Sequence, residues 1–325
     1  MVERALLQAP VDVVRAPDTA LREANLDTAA TTPATPTVVA RVLEVLPWYG
    51  SVNRGSGIRS RVTSEIYEEA RTTVHRLIGA RADQAVIFVR AATDAINKVA
   101  RKLLTQHGAG TMVITTEAEH HANLLPWRWL DVRHVGLLPD GTPDTDHLAA
   151  LCREHRGNLR LVSVSGASNV TGHVPDLPVW ARLAHEAGAE LFVDGAQLAP
   201  HRALELAAMG IDHIAFSGHK IYAPFGSGVL VSPVDFIEGG PPDIWGGGAV
   251  ADVSLDLIEW NCAPGRDEAG SPNVLGAVAL ATALETLHEI GFDRLRAHDD
   301  ALIAQMEAEL ASVPGLCRPP TPSGD

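Results

Sequence analysis

Short apolar runs recur along the chain, each four to seven residues long and bounded by turn formers. They read AVIFV (85–89), MVIT (112–115), LRLVSVS (159–165), ELFVD (190–194), HIAFS (213–217) and GVLVS (228–232). Runs of this kind predict strands buried on both faces. Between them the period changes. In SEIYEEARTTVHRLIGA (64–80) the apolar positions Ile66, Ala70, Val74 and Leu77 fall at helical spacing, and Gly79 follows as a helix C-terminus. DLPVWARLAHEAGAE (176–190) opens on Asp176 as N-cap, carries Pro178 in its first turn and ends at Gly188. Strands and helices in alternation predict an α/β domain on a largely parallel sheet flanked by helices. From about residue 273 the pattern is helical, through NVLGAVALATALETLHEIG and DRLRAHDDALIAQMEAELASV, which predicts passage toward a second, smaller domain. The expected division is an N-terminal segment over 1–24, a large domain over 25–290 and the start of a small one over 291–325.

Composition narrows the chemistry. The 325 residues, 46% hydrophobic and 20% charged, suffice for one large domain or two modest ones. Forty acidic against 26 basic residues give a formal charge of −14, which argues against a broad footprint for nucleic acid or anionic lipid. Small-molecule chemistry fits better. No apolar run approaches the roughly 18–20 residues that span a bilayer, and MVERALLQAPVDVVRAPD lacks a signal pattern, so a cytoplasmic location is expected. Cys152, Cys262 and Cys317 are scattered without CxxC spacing and read as buried or incidental thiols.

In open α/β sheets, ligands sit beyond the carboxyl ends of the strands. The polar residues there are the candidates. Asp194 follows LFV, Ser217-Gly218-His219-Lys220 follow IAF, Asn169 comes soon after LVSVS, and Glu119-His120-His121 follow MVITT. An amine, a carboxylate, imidazoles, a hydroxyl and an amide suit pyridoxal phosphate: a lysine for the Schiff base, a carboxylate for the pyridine nitrogen, and short donors for the phosphate. Plainer readings exist for each. Lys220 alone would be a surface lysine and Asp194 a helix cap, while Ser217 and His219 would serve a tight turn. A metal site at His120 and His121 is not expected, because adjacent residues of an extended segment point in opposite directions.

With these residues in view, the chain resembles the class V aminotransferases of fold type I, and within them the branch of cysteine desulfurases and selenocysteine lyases. The likeness runs in order through NLDTAATTP (25–33), SVNRGSG (51–57), VRAATDAIN (89–97), EAEHHANLLPW (117–127), ASNVTGHV (167–174), VDGAQ (193–197), FSGHKIYAPFGSGVL (216–230) and EAGSPN (268–273). The resemblance implies a fold type I large domain on a seven-stranded, mostly parallel sheet. Lys220 would then be the Schiff-base lysine, Asp194 the partner of the pyridine nitrogen, His120 the residue stacked on the ring, and Gln197 the one facing its phenolic oxygen. Thr93, Ser217 and His219 would hold the phosphate, with backbone amides around Ala92 at a helix N-terminus assisting. Asn169 would lie near the substrate carboxylate, and Ser271 would reach the phosphate of the other subunit of a homodimer. The implied substrate is an amino acid, and the implied macromolecular partner a sulfur-acceptor protein.

Departures from the family pattern limit what carries over. Desulfurases of this branch bear a mobile-loop cysteine and a carboxylate-clamping arginine in a C-terminal small domain, and this sequence ends at Asp325 before either block. Neither Cys262 nor Cys317 stands where the nucleophile falls. Asn53 replaces a common histidine beside Arg54, and Ala91-Ala92 replace a common Gly-Thr, removing one phosphate-binding hydroxyl. Three readings stay open: a piece of a longer product, a natural truncate that is completed by a partner or lacks activity, and an independently active enzyme with a reduced small domain. Transamination or epimerisation would need the same site without a cysteine, and a silent subunit would need only the fold.

Overall fold

The structure, a computed structural model, describes residues 25–52, 55 and 57–316. The expected N-terminal segment, Asn53, Arg54 and Cys317 lie outside the described residues. Seven strands, β1 (Gln84–Val89), β2 (Met112–Thr116), β3 (Asp131–Val135), β4 (Leu159–Ser165), β5 (Glu190–Asp194), β6 (His213–Ser217) and β7 (Gly228–Pro233), form one sheet in the order β1-β7-β6-β5-β4-β2-β3. Pairing is parallel throughout except at β7, which runs antiparallel to both β1 and β6. Each apolar run of the sequence became a strand. The seventh, β3, was not anticipated: its sequence DVRHV is partly exposed and charged, as suits an edge strand that must resist pairing with other chains.

Alternation along each strand divides the core between the two faces of the sheet. In β5, Leu191 and Val193 join one apolar cluster and Phe192 the other; in β7, Val229 and Val231 face one side and Leu230 the opposite side. The first cluster is covered by α1 (Pro36–Val45), α2 (Ile58–Leu77), α4 (Thr145–Glu154), α5 (Leu177–Glu186) and α6 (Val274–Ile290), the second by α3 (Ala92–His107). Asp176 caps α5 through Val179 N at 3.1 Å as the sequence predicts, and Gly79 and Gly188 take positive φ at 60° and 80°. The helix predicted over 64–80 begins six residues earlier, at Ile58. A small hairpin, β8 (Val250–Val253) with β9 (Ile258–Trp260), stands apart from the main sheet.

Helix α6 is apolar on nearly every side because it is buried against α1, α2 and the turn Gly218–Lys220. It is followed by α7 (Phe292–Ala311), which has no buried residue and is bent 77° from it. Among the described residues no single helix is long and apolar enough to cross a membrane.

A buried ion pair ties α2 to the sheet. Arg71 donates to both carboxylate oxygens of Glu268 at 2.8 Å and to Val86 O at 2.6 Å, while Glu268 also accepts Phe88 N at 2.7 Å and Tyr67 Oη at 2.9 Å. Burial, reinforced by Glu268, pushes the Tyr67 phenol far above its ordinary range, so it stays a donor. Without Glu268 the buried Arg71 would keep only the exposed carboxylate of Glu68 as counter-ion, and Phe88 N and Tyr67 Oη would lose their acceptor. Glu268→Ala is expected to lose about 3–5 kcal/mol of stability, read as a lower urea midpoint with an unchanged slope. A loss within 1 kcal/mol would show that the pair is incidental.

Candidate active site

Parallel strands deliver their carboxyl ends to one edge of the sheet, and a cavity of about 440 Å³ lies there. That size accommodates a small cofactor with a substrate. Asp194 enters from the end of β5, Ser165 from β4, and Ser217 from β6. His219 and Lys220 come from the turn after β6, His120 from the loop after β2, and Ala92 and Thr93 from the first turn of α3. Asn169 and Gln197 complete the wall with Asp27 and Ala29. The structure thus brings together Lys220, Asp194, His120, Gln197, Asn169, Ser217, His219, Ala92 and Thr93. Ser271 is the exception. It lines a separate cavity of about 310 Å³ with Tyr67, Phe88, Lys98 and Asp267.

Backbone geometry places the lysine. Gly218 N donates to Ser227 O at 2.7 Å, and a Cβ on Gly218 would stand 2.7 Å from Ser227 Oγ and 2.9 Å from two carbonyl oxygens. Only glycine fits. The carbonyl of His219 accepts from Thr32 N at 2.8 Å and Thr32 Oγ1 at 3.0 Å, which clamps the lysine turn to the N-terminal loop. Tyr222, with φ 69°, is a non-glycine residue in the left-handed region; its amide donates to Thr32 Oγ1 at 2.7 Å. Among the described residues, Lys220 has no hydrogen-bond or ion-pair partner.

Asp194 is 5% exposed. One carboxylate oxygen accepts Ala196 N at 3.0 Å, and the other has no partner among the described residues. Burial raises its pKa above the ordinary carboxylate value, opposed by that amide and by the charges of Lys220 and His120. His120 caps a single helical turn, His121–Leu124, its Nδ1 accepting Ala122 N at 3.1 Å. The neutral ring therefore carries its proton on Nε2. The expectation that His120 and His121 diverge fails in its reason, since the segment is a helix cap instead of a strand and the two rings lie 5.9 Å apart. Only His120 lines the cavity.

At the phosphate-sized end, Ala92 N donates to Ser217 Oγ at 2.8 Å. This corrects the expectation of a free amide at Ala92. The bond leaves the Ser217 proton available to the cavity, and Thr93, second in α3, supplies a first-turn amide with no carbonyl one turn back. His219 Nδ1 lies 3.2 Å from Thr31 Oγ1, and burial lowers its pKa, with Lys220 adding to the effect. Gln197 Nε2 donates to Ala29 O at 3.0 Å.

The residues fit pyridoxal phosphate by their chemistry. An amine without partners and a buried carboxylate with an unpaired oxygen share one cavity, and a hydroxyl and a helix N-terminus stand at its end. Asp27, Ser165, Thr31 and Thr32 were not assigned from the sequence. Asp27 and the threonines belong to NLDTAATTP, whose position in the fold no local pattern announces. Among the described cysteines, neither lines the cavity: Cys152 is buried, its thiol pushed up to about 11 by that burial, and Cys262 is exposed elsewhere.

A parallel-sheet domain with this lysine and aspartate at its strand ends has the form of a fold type I pyridoxal-phosphate enzyme. The chain belongs to the class V aminotransferase family, whose model matches residues 24–322. It is 37% identical over 323 residues to a cysteine desulfurase of Dickeya dadantii, covering 94% of this chain and 78% of that one. It is 36% identical over 276 residues to a cysteine desulfurase of Salmonella typhimurium, covering 82% and 67%. Among solved structures, the cysteine desulfurase CsdA of Escherichia coli superposes with a TM-score of 0.78 at 34% identity, over 89% of this chain and 73% of that one. The apo cysteine desulfurase of Thermococcus onnurineus NA1 gives 0.82 at 29% identity, over 89% and 78%.

Two expectations follow. A Cβ on Gly228 would lie 2.8 Å from Ala91 Cα and 2.9 Å from Phe216 O, so Gly228→Ala must part β7 from the start of α3. Its affinity for pyridoxal phosphate, measured by fluorescence titration, is expected to fall at least about tenfold, the equivalent of about 1.4 kcal/mol; unchanged affinity would show that the close approach is dispensable. For Asp194, a raised folded pKa means a stability contribution present in acid and lost as pH rises through the folded value. Asp194→Asn is therefore expected to raise the Tm of the cofactor-free protein at neutral pH by roughly 2–4 °C and to change it little in acid. A lower Tm at neutral pH would contradict the desolvation account.

Proposed function

We propose that this chain is a cysteine desulfurase-like enzyme that uses pyridoxal phosphate to process an amino acid carrying sulfur on its β-carbon. The observation that supports this most directly is the placement of the unpartnered Lys220 amine and the buried Asp194 carboxylate in one cavity at the strand ends. Bound pyridoxal phosphate would supply the carbonyl that joins amines and the ring that takes up negative charge at the substrate Cα. Asp194 holds a proton at the pyridine nitrogen, its free oxygen being the acceptor. Lys220 would hold the cofactor through its amine, and that amine is the group placed to move the proton at the substrate Cα. His120, with Nδ1 occupied by Ala122 N, would offer a donor at Nε2 beside the ring, and Gln197, fixed by Ala29 O, would take the phenolic oxygen. Ser217, Thr93 and His219 hold the phosphate with the first turn of α3, and Asn169 orients the substrate carboxylate.

The same reading carries a homodimer in which Ser271 contacts the partner's phosphate, a cytoplasmic location, and a protein that accepts sulfur. The dimer and the acceptor are what the family resemblance implies, and the location is the expectation drawn from the sequence pattern. No described cysteine lines the cavity, which keeps a second reading, transamination or epimerisation, in play.

After incubation with pyridoxal phosphate, the protein is expected to show a visible absorption band that borohydride abolishes and that Lys220→Ala lacks. A colourless protein of native fold would overturn the cofactor reading. Sulfide release from cysteine, lost at least about 10³-fold in Lys220→Ala, supports desulfuration. Keto acid or inverted amino acid without sulfide would select the second reading.

A further inference from the structure

Behind His120 lies a buried carboxylate that the reaction above does not use. Glu119, 8% exposed, accepts three hydrogen bonds of 2.6 Å, from Thr116 Oγ1 on Oε1 and from Asn123 Nδ2 and Ser165 Oγ on Oε2. Asn123 is fixed in turn, its Oδ1 accepting Ser163 Oγ at 2.7 Å and Trp127 Nε1 at 3.2 Å. Burial raises the pKa of Glu119, and its side-chain donors oppose that. Ser165 ends β4 directly opposite Asp194 in the β4–β5 register, and both residues line the cavity.

A serine hydroxyl has one proton and two lone pairs. The Ser165 proton is committed to Glu119 Oε2, so only acceptor capacity remains for the cavity. This is the arrangement with Glu119 ionised, the state in which all three of its hydrogen-bonding partners donate to it. Released from Glu119, the hydroxyl would be free to donate to its neighbour Asp194, whose hydrogen bonds among the described residues come only from the Ala196 amide. A carboxylate that gains a donor becomes a weaker base.

We propose that Glu119 is a positioning residue for the reaction: it holds Ser165 Oγ as an acceptor beside Asp194, so that the corner receiving the pyridine nitrogen contains no competing donor. This rests on the reading of the cavity as a pyridoxal phosphate site. His120 faces the corner from the segment after β2 with Glu119 behind it, Asp194 from β5, His219 and Lys220 from the turn after β6, and Asp27 from the N-terminal loop. His173 stands behind Ser165, with Asp140 near it.

The test is the pH midpoint of the visible band of the full chain loaded with pyridoxal phosphate, recorded beside a melting curve for each variant. Ser165→Ala leaves the corner without a donor, as Glu119 does in the wild type, and is expected to stay near the wild-type midpoint, as is Ser165→Thr, whose hydroxyl Glu119 still holds. Glu119→Gln, whose amide oxygen replaces Oε2, also stays near wild type. Glu119→Ala is expected to shift the midpoint by about one unit, tenfold in proton affinity, but to shift nothing when Ser165 is already alanine, because there is then no hydroxyl to release. An unmoved midpoint in Glu119→Ala, a shift of that size in Ser165→Ala, a shift in Glu119→Gln, or an equal effect of Glu119→Ala in both backgrounds would overturn the inference. Should Glu119→Ala fail to fold, Glu119→Asp, whose shorter side chain withdraws the carboxylate from Ser165 Oγ, is read in its place with the same expected shift. A wild-type protein without the band is a different result, and removes the cofactor reading itself.

Discussion

The cavity depends on a backbone approach that leaves no room for a side chain. At Gly228 the start of β7 lies against Ala91 and the carbonyl of Phe216, closer than any Cβ would permit. That contact brings the end of β6 beside the first turn of α3, where Ala92 N meets Ser217 Oγ. It also fixes where the turn carrying Lys220 leaves the sheet, since Gly218 is bonded to Ser227, the residue just before β7. The amine and the anion-binding end of the cavity therefore share one anchor. Strain or slack at that anchor would move both together.

Buried charge elsewhere is answered locally. Glu268 has Arg71, Phe88 N and Tyr67; Glu119 has two hydroxyls and an amide; Asp267 has Lys98 and Lys102. Asp194 differs. It is as buried as these, yet it receives one backbone amide and faces Lys220 and His120 across open space. Desolvating a carboxylate without a full set of donors is costly, and the cost makes the site receptive to a ligand that brings a proton. The buried carboxylates with counter-ions or several donors packed against them build the fold, and the one that faces a cavity with a single donor marks the chemistry.

The sequence was most legible where burial is symmetrical. Six strands stood out as apolar runs because both faces of the sheet are covered, whereas β3 lies at an edge and carries Asp131, Arg133 and His134. Strand-end residues such as Asp194 and Lys220 were legible because parallel topology forces them to one edge, and the family resemblance gave them roles. What depends on contacts distant in sequence was not legible. Nothing in VRAATDAIN says that the Ala92 amide is taken by a serine 125 residues away, and nothing in LRLVSVS says that the last hydroxyl is turned toward Glu119. His120 and His121 were read as extended, but a two-residue hydrogen bond from Ala122 N makes them the start of a helical turn.

The direction of β7 has a consequence for how this protein tolerates change. Because β7 runs against its neighbours, the segment between Ser217 and Gly228 leaves the sheet and returns to it at the cavity edge. Most other connections cross to the far edge before the next strand begins, and the links Glu154 to Leu159 and Glu186 to Glu190 lie wholly there. An insertion in those links is absorbed by solvent-facing loop, since lengthening a surface loop costs little. The same insertion between Gly218 and Gly228 has no far side to occupy. The length of that one loop is thus under a constraint that its mostly ordinary residues do not reveal, and natural or engineered length variation should accumulate everywhere around the sheet before it appears there.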